Sequence, residues 1–292
     1  MNKAVKLSCP LCGSTKRIPF DRRFFRGQLV TNVICLRCGL VYQWPRMSDE
    51  ELAAFYAAEY RQLYQGQAGP NATDLLVQKA RAAALVNFVG SSLPNISSHL
   101  DIGCSAGLLL AASRQAFGCQ ATGVEPGDAY RLYAQGQGLP VYASIEELAA
   151  AGPRRFDLVS LAHVLEHIAD PLGYLVGLRE NWLEPDGRLL VEAPNLYAHD
   201  SFEVAHLVSY SPHTLAQTLQ KAGFDVVRME LHGRPRSELI PLYLTVLACP
   251  AQDRPFRLEP EKNVQLKRRL GLLRRTLLTY LYPRRAWLPV AD

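Results

Sequence analysis

No apolar run in this 292-residue chain approaches the ~20 residues that a membrane helix needs. The amino terminus, Met1-Asn2-Lys3-Ala4-Val5-Lys6-Leu7, also lacks the apolar centre of a signal peptide. The expectation is a cytoplasmic protein. Acid is nearly missing from both ends: residues 1–46 hold nine Lys/Arg against Asp21 alone, and residues 251–292 hold ten against four acids. The overall charge of +5 therefore conceals an acidic middle. Basic ends suit an anionic partner, whether a nucleotide-sugar, a phospholipid surface or RNA. At 48% hydrophobic and 20% charged residues, the chain has the composition of one full-sized globular domain plus something smaller. In a reducing compartment its seven cysteines indicate metal ligands or free thiols in preference to disulfides.

Four of those cysteines are patterned. Cys9-Pro10-Leu11-Cys12-Gly13 and Cys35-Leu36-Arg37-Cys38-Gly39 form two C-x2-C pairs with 22 residues between them. Two residues between cysteines let both sulfurs of a turn face one ion, and four thiolates close a tetrahedral Zn2+ shell with no open position. Such a shell is structural. A redox C-x-x-C would open a helix in a βαβ context, which two pairs flanking a strand-like Gln28 to Ile34 do not provide. Cys104, Cys119 and Cys249 read as small buried hydrophobes.

The centre of the chain is organised around Leu100-Asp101-Ile102-Gly103-Cys104-Ser105-Ala106-Gly107. A strand from Ser98 to Ile102 breaks at Gly103 into a small-residue turn that opens a helix from about Gly107 to Phe117. A second strand, Gln120 to Val124, delivers Glu125 to its carboxyl end, where a doubly wound sheet binds ligands and an acid can accept from ribose hydroxyls. A dinucleotide loop would read G-x-G-x-x-G. Here the third position is Ser105, and the carboxylate of Asp101 suits a cationic ligand better than a phosphate.

Strand and helix then alternate: helices from Pro126 to Gln137, Ile145 to Ala151, Pro171 to Leu183 and Pro212 to Ala222, strands from Pro140 to Ala143, Phe156 to Leu161, Arg188 to Glu192 and Phe224 to Leu231, and a turn at Glu184-Pro185-Asp186-Gly187. This is an α/β pattern with a parallel sheet. Only nine residues, His232 to Ile240, separate the Phe224 strand from the next, Leu242 to Ala248, too few for a parallel crossover. The last strand must run antiparallel.

These residues resemble motif I of the class I S-adenosylmethionine-dependent methyltransferases, followed by the ribose-binding acid. His163-Val164-Leu165-Glu166-His167-Ile168-Ala169-Asp170-Pro171 is similar to a later segment of the family's ubiquinone-biosynthesis and sugar-modifying members. As H-x-x-E-H zinc ligands the same residues would need a long helix. Phe202-Glu203-Val204-Ala205-His206-Leu207-Val208-Ser209-Tyr210 is similar to a stretch whose histidine stands over the cofactor's methyl. The resemblance implies a Rossmann-like seven-stranded sheet of order 3-2-1-4-5-7-6. It places S-adenosylmethionine against Asp101, Gly103, Cys104, Ser105, Gly107, Glu125, Pro126, Ser144, Ala162 and His163, with His206 as general base and His163 as a second catalytic candidate. The implied reaction moves a methyl to an oxygen, or a carbon, of a small-molecule, sugar or glycan acceptor. The rivals are an rRNA base methyltransferase and an inactive zinc-ribbon binding protein, with nucleic acid ranked behind the small acceptor.

Four regions are expected: a zinc ribbon over 1–46, a helical lid or linker over 47–94, the methyltransferase domain over 95–250 and a basic tail over 251–292. In the second, Ser48 caps a helix to about Tyr64 with Phe55, Tyr56, Tyr60 and Tyr64 packed inward. Thr73 caps another whose apolar face is Leu76, Ala80, Ala83, Ala84 and Phe88. In the tail, a helix from Pro260 to Tyr282 carries Leu266, Leu270, Leu273, Leu277 and Leu281 on one face and Lys267, Arg268, Arg274 and Arg275 on the other. That face suits docking on the protein itself, self-association or an anionic membrane surface.

Overall fold

The computed structural model describes residues 8–47, 51, 52, 69–90, 92, 93, 95–152, 154–200, 202–252 and 255–289. The helix expected from Ser48 to Tyr64, with its four aromatic residues, lies outside them except for Glu51 and Leu52.

Two sheets form the framework. The larger has seven strands, in the spatial order β10-β11-β8-β7-β4-β5-β6. Its centre is β4 (Ser98–Ile102), flanked by β5 (Gln120–Val124) and then β6 (Val141–Tyr142) on one side, and by β7 (Phe156–Ala162) and then β8 (Leu183–Pro194) on the other, all parallel. Four of the five residues of β4 and of β5 are buried, as expected of strands covered on both faces. β11 (Tyr243–Pro250) inserts antiparallel between β8 and β10 (Phe224–His232), so the order expected from the resemblance, reversed antiparallel strand included, is the one observed. The Glu184–Gly187 turn is absorbed into β8, whose pairing with β7 passes from Leu183 opposite Phe156 to Arg188 opposite Leu158.

The helices are α1 (Ala72–Gly90), α2 (Leu108–Phe117), α3 (Asp128–Gly136), α4 (Ile145–Ala150), α5 (Pro171–Asn181), α6 (Pro212–Lys221), α7 (Val264–Leu281) and the short α8 (Pro283–Ala286). α1 departs from expectation twice. Its amino terminus is capped by Asn71, whose Oδ1 accepts from Asp74 N at 2.8 Å, and not by Thr73. Its buried face is Ala82, Leu85, Phe88 and Val89, while Ala80 and Ala83 are exposed.

The smaller sheet has the order β1-β2-β3-β9, comprising β1 (Arg17–Phe25), β2 (Gln28–Cys35), β3 (Val41–Gln43) and β9 (Val208–Ser209). β9 comes from the connection between β8 and α6, and pairs Val41 with Ser209 and Tyr42 with Val208. The amino-terminal hairpin is thus stitched into the main body. Cys9, Leu11 and Tyr42 share one hydrophobic core with Leu215 and Leu219 of α6, and the Lys221 ammonium donates to the Leu11 carbonyl at 2.7 Å.

Candidate functional site

The carboxyl ends of β4, β5, β6 and β7 open into a cavity of 480 Å³, roofed on one side by α1. Local chemistry shapes its floor. Gly103 sits at φ +71°, and a Cβ there would stand 2.6 Å from Val164 Cγ2, so only glycine lets the β4 and β7 loops close on each other. Ser105 also takes a left-handed conformation, at φ +51°, a small residue in a position that suits glycine.

Glu125 is 3% exposed and held at both oxygens. Oε2 accepts from Ser105 N at 2.9 Å and Oε1 from Gly127 N at 2.8 Å. The carboxylate therefore locks the first loop to the second strand end. Asp101, also 3% exposed, accepts from Ser160 Oγ at 2.5 Å, and Ser160 in turn meets His99 Nε2 at 2.7 Å. Burial, reinforced by the charge of Glu125 and opposed by the Ser160 hydrogen bond, raises the Asp101 pKa to about 7. Burial alone lowers His99 to about 3, so the chain ends in a neutral imidazole. Two acidic side chains side by side make a floor that favours a positively charged ligand.

Beyond β7 lies a second buried charge cluster. His163, at φ +59°, stands between two carboxylates: Nδ1 is 3.3 Å from Glu166 Oε1 and Nε2 is 3.1 Å from Glu192 Oε1. Burial and the Arg81 charge pull the His163 pKa down, but Glu166 and Glu192 outweigh them and raise it. Burial would raise both acids. Instead, His163 with His167 and His206 hold Glu166 at about 2, and His163, His232 and Arg81 hold Glu192 well below the usual carboxylate range. Arg81 Nε lies 2.9 Å from Glu192 and its guanidinium stacks 5.3 Å from the Tyr243 ring.

Of the residues expected at the cofactor, Asp101, Gly103, Cys104, Ser105, Glu125, Pro126, Ser144, Ala162 and His163 all line this cavity. Gly107 does not. It caps α2 at φ +77°, where a Cβ would come within 2.4 Å of Leu139 Cδ1, so its smallness serves packing against the loop after α3.

His206, expected as the base, is likewise not among the residues that line the cavity. Its ring sits behind that of His167, with centroids 4.9 Å apart, in a 20 Å³ void shared with Glu166, His199 and Arg268. Burial, with the nearby His167, lowers its pKa to about 3. The cause is the β3–β9 pairing, which holds the connection against the smaller sheet: Gln43 Nε2 donates to the Glu203 carbonyl at 2.6 Å. His167 takes the cavity position instead. Its Nδ1 donates to the Ala205 carbonyl at 2.9 Å, which fixes Nε2 as the proton-accepting nitrogen of the neutral ring.

The polar stripe of α1 also belongs to the site, without a motif to mark it. Asp74, Gln78 and Arg81, spaced four and three apart, line the cavity from above. Gln78 Oε1 accepts from Ala106 N at 3.3 Å, and Asp74 Oδ2 accepts from Tyr130 Oη at 2.7 Å. That spacing was the available signal.

Among the described residues, two clusters have donor sets able to hold a metal. Cys9, Cys12, Cys35 and Cys38 place their sulfurs within 4.8 Å of one another, with Cys9–Cys38 at 3.6 Å and Cys12–Cys35 at 3.5 Å. Thiolates about 2.3 Å from a tetrahedral zinc stand about 3.8 Å apart, so the set fits that ion. Glu166, His167 and His206 also each offer a ligand atom within 4.8 Å of the others.

A family model described as a methyltransferase domain matches residues 76–229. Two curated relatives are ubiquinone biosynthesis O-methyltransferases. One, from Cereibacter sphaeroides, is 39% identical over 103 residues, covering 33% of this chain and 40% of the relative. The other, from Serratia proteamaculans, is 34% identical over 103 residues, covering 33% and 42%. The chain thus spans about two fifths of the length of these relatives. Among solved structures, a 1,6-didemethyltoxoflavin-N1-methyltransferase from Burkholderia thailandensis, with S-adenosylhomocysteine bound, shares the fold at a TM-score of 0.57 and 20% identity over 80% of this chain and 100% of its own.

Proposed function

Since this chain belongs to the class I S-adenosylmethionine-dependent methyltransferases, we propose that it transfers the methyl group to a hydroxyl oxygen of a small-molecule acceptor. One observation carries the reading: the acidic floor of Glu125 and Asp101, fixed by backbone N–H groups and Ser160, at adjoining strand ends. Bound S-adenosylmethionine supplies an activated methyl on a cationic sulfur. Glu125 accepts from its ribose hydroxyls, and Asp101 with the Gly103–Ser105 loop holds its charged amino-acid end. Pro126 and Ser144 flank the base, while Cys104 and Ala162 complete the wall.

β4 and β7 are neighbours and β5 lies beyond β4. With strands about 4.8 Å apart, the loop carrying His163 stands roughly 10 Å from Glu125, a span that leaves the His163 side for the acceptor. There His167 takes the acceptor's proton through Nε2, in place of His206, because it reaches the cavity. His163, with each ring nitrogen held by a carboxylate, keeps its proton and sets positive charge beside the acceptor oxygen without donating to it.

Methyl transfer needs reactant alignment and one proton acceptor, and no catalytic metal is called for. Zinc at Cys9, Cys12, Cys35 and Cys38 would be structural, bracing the sheet that sets the β8–α6 connection. Similarity to the ubiquinone-pathway relatives supports oxygen as the acceptor atom. The test is radiolabelled methyl transfer to panels of hydroxylated aromatics, sugar nucleotides and unmodified RNA. Label in a hydroxylated small molecule is expected; label in RNA alone overturns the acceptor class.

A further inference from the structure

α7 reverses the docking expected for the tail. The face that holds it to the protein is polar: the buried Arg268 guanidinium donates to the carbonyls of Leu196, His199 (2.9 Å) and Asp200 (3.3 Å). Arg275 reaches the Ala198 carbonyl and the Asp200 carboxylate, each at 3.0 Å. Gly271 lies so close to the Tyr197 carbonyl that a Cβ would stand 1.9 Å from its oxygen. Val264 and Leu278 complete this face.

The leucines point the other way. Leu266, Leu270, Leu273, Leu277 and Leu281 are 52–65% exposed, and Tyr280 is 82% exposed. At about 100° per residue the five leucines fall within roughly 80° of arc, opposite Arg268 and Arg275, along a helix about 27 Å long. Exposed Arg274 borders the stripe on one side, next to Lys267, whose ammonium is paired with Glu261 at 3.0 Å, and exposed Arg269 borders it on the other. From Val264 to Pro289 there is no Asp or Glu.

We propose that α7 is a surface anchor that lies in the headgroup region of an anionic bilayer, its leucine stripe among the acyl chains and Arg269 and Arg274 on lipid phosphates. An apolar stripe bordered by cations on both sides matches the cross-section of such an interface. Charge decides against a second copy of the chain: pairing two stripes would set these cations against their counterparts with no acid on either helix to offset them. A nucleic acid would use the cations but leave the leucines in water. Because the protein-facing side of α7 holds itself through Arg268 and Arg275, the helix need not detach to engage lipid. No described helix is long and apolar enough to cross a membrane, so the contact is with one leaflet.

Flotation with 100-nm vesicles tests this, using phosphatidylcholine alone and with about 30% phosphatidylglycerol. Wild type should float with the anionic vesicles and partition at least tenfold less onto pure phosphatidylcholine or in 1 M salt. Arg269→Glu/Arg274→Glu and Leu270→Glu/Leu273→Glu should each lose at least tenfold, given roughly fivefold per basic residue. Far-ultraviolet dichroism and an unchanged melting temperature check that these exposed changes leave the fold intact. If either variant unfolds, the lipid-composition and salt arms decide alone. Absence of wild-type flotation on anionic vesicles overturns the proposal, as does equal binding to both compositions. So does a wild-type dimer that Leu270→Glu/Leu273→Glu converts to monomer, or salt-sensitive RNA binding in place of lipid binding.

Discussion

Replacing Glu125 by glutamine preserves shape and removes one charge, so it separates two jobs of the same side chain. In the wild type both oxygens accept backbone N–H bonds, at 2.9 and 2.8 Å. In the variant an amide NH2 faces either Ser105 N or Gly127 N, leaving one buried donor unsatisfied at a cost of about 1–3 kcal/mol. Bonds from the ribose hydroxyls to a charged acceptor are worth about 1.5–3 kcal/mol, so their loss weakens cofactor affinity by roughly 10- to 150-fold. Urea unfolding measures the first effect and titration calorimetry with S-adenosylhomocysteine the second. Both should appear. A dissociation constant within twofold of wild type, with stability lowered, would mean that Glu125 only ties two loops together and that the ribose binds elsewhere.

His167→Ala should lower turnover by ~10²-fold or more with cofactor affinity within threefold, whereas His206→Ala should lower it less than tenfold; the reverse ranking restores His206 as the base. For Asp101, the folded pKa of about 7 against an ordinary 3.8 means that the native state keeps a proton the unfolded chain releases, so its contribution falls as pH rises from about 4 to 7. Asp101→Asn should therefore gain about 3 kcal/mol on wild type between pH 4.5 and 7.5 without ligand, read as urea midpoints at both values; a pH-independent difference refutes the buried protonated acid. Metal analysis in reducing buffer should give one zinc per chain. Cys35→Ser should lower a single cooperative unfolding transition, because Cys9 and Cys35 share a core with α6; loss of a separate small transition would contradict that coupling.

What could be read ahead of the structure was local. Asp101, Gly103 and Glu125 are fixed by a strand, its terminal turn and the next strand, all within 25 residues, and the antiparallel β11 followed from a connection too short to cross over. What escaped depended on distant partners. His206 was placed by motif, but its position is set by Val41 and Tyr42, paired with Ser209 and Val208 far along the chain. The α7 face was read from its leucines, whereas the docked side meets carbonyls of residues 196–200 through Arg268, Gly271 and Arg275. Likewise α1 brings Asp74, Gln78 and Arg81 to the cavity together with Ala82 and Leu85, while Phe88 packs into the core shared with Leu109 of α2. Periodicity finds a stripe; the partner decides which stripe is inside.

On the proposed function, the acidic floor between β4 and β5 holds the methyl donor with its sulfur toward β7. A crystal structure of the full chain with S-adenosylhomocysteine tests it most directly. Both ribose hydroxyls should lie within about 3 Å of the Glu125 carboxylate, with the sulfur on the side of the cavity bordered by His163 and His167. A ligand that leaves Glu125 uncontacted, or that turns its sulfur toward Ser144, would contradict it.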